Sequence, residues 1–176
     1  MYNHILRKDT LNAGEVTQMQ NRIEILRRFI EDILYSSKGD IRIRSFYYNH
    51  MVCVSQFCAL IALRRGEDAE LATMAGLLHD IHTFIYFDSE KHARKGAVLA
   101  REILGELKLT TDEETDKICS AIRHHSKKSG SFSCFDEVLI DADVLEHSLH
   151  NITTPPFTKD EERFIKLLDE FDLRNP

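Results

Sequence analysis

The spacing of apolar residues is the feature of this sequence that most constrains its fold. Along most of the 176 residues, apolar side chains recur at positions i, i+3, i+4 and i+7, which is the pattern of helices that bury one face. Only 7 glycines and 3 prolines interrupt this pattern. The sequence therefore predicts an all-α bundle of about six to seven helices and no strands.

Helix caps and breakers divide the chain into its predicted helices. The first covers about residues 16–36 and the last about residues 159–173. The five predicted between them cover about residues 45–65, 68–82, 88–107, 111–126 and 135–150. The segment Thr83–Phe87 is predicted to be an irregular or short extended connection. A chain of this length can bury one ordinary core, so residues 1–176 are predicted to form a single domain.

The charge of the chain limits its classes of partner. The formal net charge is −6, and an acidic surface repels both nucleic-acid backbones and anionic membranes. The first residues lack the apolar core of a signal peptide, and no uninterrupted apolar run approaches the roughly 18–20 residues that span a bilayer. We expect a cytoplasmic protein whose partners are small molecules, with neither long nucleic acid nor membrane among them.

Polar residues in apolar helical text indicate a metal site. His79 and Asp80 end an otherwise apolar helix, where two polar groups are costly to bury without partners. They can converge on one ion only beside the helix end, so further ligands must come from other helices. His50 and Asp143 are the natural suppliers, although Asp141 competes with Asp143 from a nearly opposite helical face. Two imidazoles and two carboxylates suit iron, manganese, nickel, cobalt or zinc.

The arrangement of these residues resembles that of HD-domain proteins, in which a histidine begins one long helix and a His-Asp pair ends the next. The resemblance lies first in residues 49–81, NHMVCVSQFCALIALRRGEDAELATMAGLLHDI. It continues in KHARKGAVLA at 91–100, AIRHHS at 121–126 and LIDADVLEH at 139–147, and so covers roughly residues 45–150. It implies an HD-domain-like bundle that holds one divalent metal ion through His50, His79, Asp80 and Asp143. A second ion is possible.

Additional histidines match the next two blocks of the family. The resemblance implies that His92, His124 and His125 hold a second metal or contact the substrate phosphate. Arg123 and Lys95 flank these blocks and are candidate phosphate contacts.

Three of the residues are predicted to be catalytic, namely Asp80, His92 and His125. His82 lies three residues after His79 on the same helical face and could support the ligands. His147 and His150, which lie beyond the last ligand, are predicted to be surface residues.

The subgroup is suggested by the block H-A-x-x-G-A-x-x-A, from His92 to Ala100, which is similar to that of small HD hydrolases that split dinucleoside polyphosphates. The chain departs from that subgroup at His82 and at His125-Ser126, where the family has His-Thr. The H-D-x-x-E-D signature of guanosine tetraphosphate hydrolases and the Gly-Tyr-Pro motif of cyclic-di-GMP phosphodiesterases are absent, which disfavours those substrates.

The resemblance therefore implies a metal-dependent phosphohydrolase that acts on a small nucleotide or related phosphoester through a metal-activated water. Two alternatives remain open at this point. One is a nucleotide-sensing HD module without turnover, and the other is a di-iron oxygenase of the HD type.

Overall fold

Helices account for all the regular structure in the part of the chain that the computed structural model describes, residues 21–36, 41–154 and 156–174. The all-α prediction is confirmed, and the described residues contain no strand. The predicted first turn at 16–20 and the predicted helix stop at 38–40 lie outside the described residues. The helices are α1 (Arg22–Ser36), α2 (Ile41–Arg65), α3 (Ala69–Leu78), α4 (Ile81–Tyr86), α5 (His92–Leu107), α6 (Asp112–His124), α7 (Cys134–Leu149) and α8 (Glu161–Glu170).

The long helix α2 lies at the centre of the bundle. It packs against α3 on one side and α7 on the other, and its buried residues include Met51, Val54 and Ile61. By length and composition alone it is the one helix among the described residues that could cross a membrane, with a mean hydropathy of 1.3. Because α2 packs against both neighbours and buries His50 among them, we assign it as the core helix of the bundle.

The chain turns sharply at His79 and Asp80, between α3 and α4. The prediction of a single helix over 68–82 followed by an irregular Thr83–Phe87 was therefore wrong, since α4 continues to Tyr86. Helix α3 ends with His79 as its C-cap, and Asp80, with φ −108° and ψ 17° outside the helical region, is the N-cap of α4. Ile81 and Phe84, three residues apart, are both fully buried, and this burial explains why the second segment is helical.

The start of α5 also differs from the prediction. The helix begins at His92 rather than at Asp88, because Lys91 adopts the left-handed conformation with φ 53°. The segment 88–91 forms a turn that places His92 in the first position of α5. This position directs His92 toward the end of the bundle at which α3 and α6 also end.

The crossing of α2 and α3 depends on a glycine. A Cβ atom on Gly76 would lie 2.6 Å from Cα of Ser55, which is backbone that cannot move aside. We expect Gly76→Ala to lower the free energy of unfolding by about 2–3 kcal/mol, because the two helices must separate. Urea denaturation measures this change.

Gly105 provides the matched control for that substitution. It also lies inside a helix, but no neighbouring atom lies within 4 Å of the position that a Cβ atom would take. Gly105→Ala should raise the free energy of unfolding by about 0.5–1 kcal/mol, because alanine loses less backbone entropy. Equal effects of the two substitutions would contradict the close approach at Gly76.

Candidate metal centre

The four predicted ligands lie together where α2, the turn after α3 and α7 meet. Nε2 of His50 lies 3.0 Å from Nε2 of His79 and 3.4 Å from Oδ1 of Asp143. Oδ2 of Asp80 lies 4.0 Å from Nε2 of His50 and 3.8 Å from that of His79. We call these four residues the first cluster. Their donor atoms surround one point inside the bundle.

A second cluster shares Asp80 with the first. It consists of Asp80, His92 at the start of α5 and His125 just after α6. The Nε2 atoms of His92 and His125 are 3.2 Å apart, and each lies 3.7 Å from Oδ1 of Asp80. The two oxygens of the Asp80 carboxylate therefore face different histidine pairs.

The hydrogen bond made by Nδ1 of each ring determines that Nε2 faces the clusters. Nδ1 of each of these four histidines lies 2.6–3.0 Å from an acceptor. For His50 the acceptor is the carboxylate of Glu146. For the other three it is a backbone carbonyl: that of Gly76 for His79, Ser89 for His92 and Ile122 for His125. We assign each Nδ1–H as the donor to that oxygen. Nε2 of all four rings is then directed inward.

The pKa of His50 is shifted in the opposite direction from those of His79 and His125. Burial alone would lower the pKa of His50, but hydrogen bonds with Asp143 and Glu146 raise it to about 10. Burial lowers the pKa of His79, and burial together with the nearby His79 lowers the pKa of His125 to about 3. Without a metal, His50 is therefore an imidazolium whose Nε2–H lies between two acceptors, Nε2 of the neutral His79 at 3.0 Å and Oδ1 of Asp143 at 3.4 Å.

Both carboxylates are ionised. Burial opposes ionisation of Asp143, but the charge of Lys128, whose Nζ lies 2.5 Å from Oδ2, and the hydrogen bond from His50 hold its pKa well below the usual value. Burial also opposes ionisation of Asp80, but the surrounding histidines, led by His79, lower its pKa. Its Oδ1 atom is buried and has no hydrogen-bond partner among the described residues.

These groups fit divalent transition metals. Two lone pairs on facing nitrogens repel at 3.0–3.2 Å, so each Nε2 pair needs a proton or a cation between its rings. The unpaired Oδ1 of Asp80 points at the second pair and lacks any other partner among the residues described. Imidazole and carboxylate donors suit iron, manganese, nickel, cobalt and zinc. The first cluster could hold one ion and the second cluster another.

Metal binding is expected to release protons. With a pKa of about 10, His50 carries a proton on Nε2 at neutral pH, and an imidazole must lose that proton to bind a metal. Addition of Zn²⁺ to the metal-free protein near pH 7 should therefore release about one proton from the first cluster. This release should disappear as the pH rises through about 10, where His50 is already neutral.

A pH indicator in weakly buffered solution measures the release. The variant His50→Gln, which has no proton to lose at that position, provides the control. Stoichiometric zinc binding without any release of protons would contradict the assigned protonation of His50.

The other predicted site residues lie outside the two clusters. Nδ1 of His124 lies 2.8 Å from Oδ2 of Asp136, and its ring stacks on Phe132, so this histidine faces the α6–α7 connection. Arg123 is exposed on α6.

The remaining two predicted residues lie beside α4 and α5. Nζ of Lys95 lies 2.6 Å from Oδ2 of Asp88. Nδ1 of His82 lies 3.1 Å from the backbone oxygen of Asp88, and its ring contacts Tyr86. The structure therefore brings neither residue into contact with a proposed metal ligand.

Three further residues contact the first cluster, although the sequence did not predict a place for them in the metal site. His147 was predicted to lie at the surface, but its ring lies nearly parallel to that of His50, with an interplanar angle of 7° and the centroids 5.3 Å apart. Glu146 and Lys128 contact His50 and Asp143 respectively. The signal for Glu146 and His147 was their spacing of three and four residues after Asp143 on one helix.

Asp141 and Asp143 are both buried, on different sides of α7. Asp141 accepts hydrogen bonds from Arg65 at 2.7 Å and from Arg163 at 2.8 Å. It therefore joins α7 to α2 and α8 and takes no part in either cluster.

The fold and the site together define a class of protein: an all-α bundle in which histidine pairs lie on both sides of one aspartate. The family model described as the HD domain matches residues 47–173 of the chain. The chain belongs to the HD domain family.

Curated relatives and a solved structure agree with this assignment. Ribonuclease Y of Lawsonia intracellularis is 30% identical over 109 residues, which are 59% of this chain and 19% of the relative. Ribonuclease Y of Lactobacillus gasseri is 28% identical over 142 residues, 78% of this chain and 24% of the relative. The chain thus spans about a fifth to a quarter of the length of these relatives.

The solved structure is that of a predicted HD superfamily hydrolase from an uncultured Thermotogales bacterium. It aligns with a TM-score of 0.54 and 22% sequence identity, over 88% of this chain and 89% of that one. At this identity the likeness supports the fold.

Proposed function

We propose that this protein is a metal-dependent phosphohydrolase that acts in the cytoplasm on a small nucleotide or a related phosphoester. The observation that carries the proposal is the placement of Asp80, whose two carboxylate oxygens face separate pairs of inward-directed imidazoles. Membership of the HD domain family supports the proposed reaction class.

The residues of the two clusters would have different roles in the reaction. His50, His79, Asp80 and Asp143 would hold the first ion, which lowers the pKa of a bound water and neutralises charge on a phosphoryl oxygen. Lys128 keeps Oδ2 of Asp143 occupied, so that Oδ1 remains directed at the histidines.

The second pair of histidines would act nearer the substrate. The side chain of His92 is 28% exposed and that of His125 only 3%, so His92 forms the solvent-facing side of the pair. From this position His92 could hold a phosphoryl oxygen or, with Asp80 and His125, a second ion. His125, neutral because its pKa is about 3, offers a lone pair rather than a charge.

A pocket between α4 and α5 supports the choice of a small nucleotide. Its volume is about 490 Å³, which suits a compact ligand. Arg94 has no ion pair among the described residues and supplies positive charge, whereas Lys91 and Lys95 are paired with Glu90 and Asp88. Tyr86 supplies an aromatic face for a base. The pocket is lined by His82, Tyr86, Lys91, Arg94, Lys95, Val98, Leu99 and Glu102.

A larger cleft beside α8 is less suited to phosphate. Its volume is about 780 Å³, and it is lined by both basic and acidic residues. Arg65 and Arg163 in its wall are already paired with Asp141. We therefore propose the smaller pocket, which Lys91 next to His92 helps to line, as the substrate site.

RNA is the second candidate substrate, because the curated relatives named above are called ribonuclease Y. The formal net charge of −6 argues against a long polyanionic strand. The chain also covers only 19–24% of those relatives. We therefore favour the small phosphoester.

Hydrolysis of a substrate panel tests this proposal. Metal-free protein is supplied with manganese, iron, cobalt or nickel and assayed on nucleoside monophosphates, dinucleoside polyphosphates and an RNA oligonucleotide. We expect metal-dependent release of phosphate or a nucleotide from at least one small substrate, with little cleavage of RNA. Binding without turnover would indicate a sensor module, and oxygen consumption would indicate an oxygenase. Cleavage of RNA alone would indicate a nuclease. Each of these results would overturn the proposal.

A pair of arginine substitutions tests the location of the substrate. Arg94→Ala removes a cation from the pocket and should raise KM about 3–10-fold with little change in kcat. Arg101→Ala removes a cation from the same helix outside the pocket, where it pairs with Asp116, and should leave KM unchanged.

A further inference from the structure

A buried carboxylate without a partner lies next to the first cluster. Asp160, just before α8, is fully buried, and neither oxygen of its side chain has a hydrogen-bond partner among the described residues. A buried carboxyl group in this state destabilises the fold unless another group compensates it. The nearest candidate is Nδ1 of His147, 3.7 Å from Oδ2 and itself buried without a partner.

The other nitrogen of His147 faces the first cluster. Its Nε2 lies 3.5 Å from Oδ1 of Asp143, four residues earlier on α7. Donor atoms that bind one ion at about 2.1 Å lie about 3.0–3.5 Å apart when they are neighbours in its coordination shell. The spacings within the first cluster, 3.0 Å from His50 to His79 and 3.4 Å from His50 to Asp143, fall in the same range.

The placement of His147 is similar to that of His50. Nδ1 of His50 donates to the carboxylate of Glu146, and its Nε2 faces the cluster. In His147 the carboxylate is that of Asp160, and a movement of about 1 Å would bring the pair into hydrogen-bond range. Histidines that bind metals usually donate their second ring nitrogen in this way.

We propose that His147 is a further ligand of the ion in the first cluster and that Asp160 is the carboxylate that orients it. The proposal rests on the metal centre of the proposed function. It also gives the buried Asp160 side chain a hydrogen-bond partner, because the metal-bound ring presents Nδ1–H to that carboxylate. If Nε2–H instead donated to Asp143, a neutral ring would present a lone pair to Asp160, which is repulsive.

Two-bond ¹H–¹⁵N spectra of the histidine rings in the zinc-loaded protein test the proposal. On addition of Zn²⁺, we expect Nε2 of His147 to move to the chemical-shift range of a zinc-bound imidazole nitrogen, together with those of His50 and His79. Nδ1 of His147 should stay protonated. If the His50 and His79 resonances move but Nε2 of His147 keeps a proton, the inference is wrong while the metal centre stands. If none of the three moves, both are wrong.

Metal affinity provides the second readout. His147→Gln should weaken Zn²⁺ binding about 10–100-fold in chelator competition, and Asp160→Asn should weaken it less, because the ring remains available. His82→Gln changes a histidine outside both clusters and should leave the affinity unchanged. Unchanged zinc affinity in folded His147→Gln protein would contradict the proposal.

Discussion

Replacing Asp80 with alanine should reduce turnover on the order of 10³-fold or more and weaken metal binding in the same protein. Asp80 is the residue shared by both clusters, with Oδ2 facing His50 and His79 and Oδ1 facing His92 and His125. Its removal deletes a negative ligand from each. Steady-state kinetics and chelator competition on the same preparation measure the two effects.

His125→Ala is the matched control for this substitution. Nε2 of His125 faces Oδ1 of Asp80 and Nε2 of His92, which belong to the second cluster. The variant should therefore lose activity but keep the affinity of the first ion. Equal loss of metal from the two variants would show that His125 belongs to the first cluster instead.

Removing the metal should lower the melting temperature by about 8–16 °C. An ion present at about 1000 times its dissociation constant stabilises the fold by about 4 kcal/mol, and each kcal/mol shifts the melting of a chain of this size by about 2–4 °C. The proposed ligands come from α2, the α3–α4 turn and α7, so the ion joins separate parts of the bundle.

Circular dichroism with a chelator, and again after resupply of Mn²⁺ or Zn²⁺, measures this shift. The Asp80→Ala variant should show a much smaller one, because it binds metal weakly. A purified protein that contains no transition metal, and whose melting temperature no added metal changes, would contradict the prediction.

The predicted first cluster could be found from sequence because its members are polar residues in apolar helices. His50 and His79 each stand in text that is otherwise hydrophobic, and the structure buries both. Periodicity also predicted the all-α fold correctly. What periodicity could not show is that the chain turns at Asp80, because Ile81 and Phe84 continue a helical apolar pattern after the break.

The neighbours of the ligands were harder to predict, since they depend on how separate helices meet. Lys128 lies in a polar loop that is typical of a solvated surface, but its Nζ contacts Asp143 inside the bundle. Nδ1 of His147 and Oδ2 of Asp160 come within 3.7 Å of each other only because α8 packs against α7. His124 and His125 are adjacent, and the direction of α6 alone decides that His125 faces Asp80.

We propose that ions held around Asp80 drive phosphoester hydrolysis. The most direct measurement is a titration of metal-free protein with Mn²⁺ in which bound metal and hydrolysis of one small phosphoester are recorded in the same samples. We predict that the rate rises in proportion to occupancy and is absent from Asp80→Ala protein. Hydrolysis that is unaffected by complete removal of metal, or its absence for every phosphoester at full occupancy, would contradict the claim.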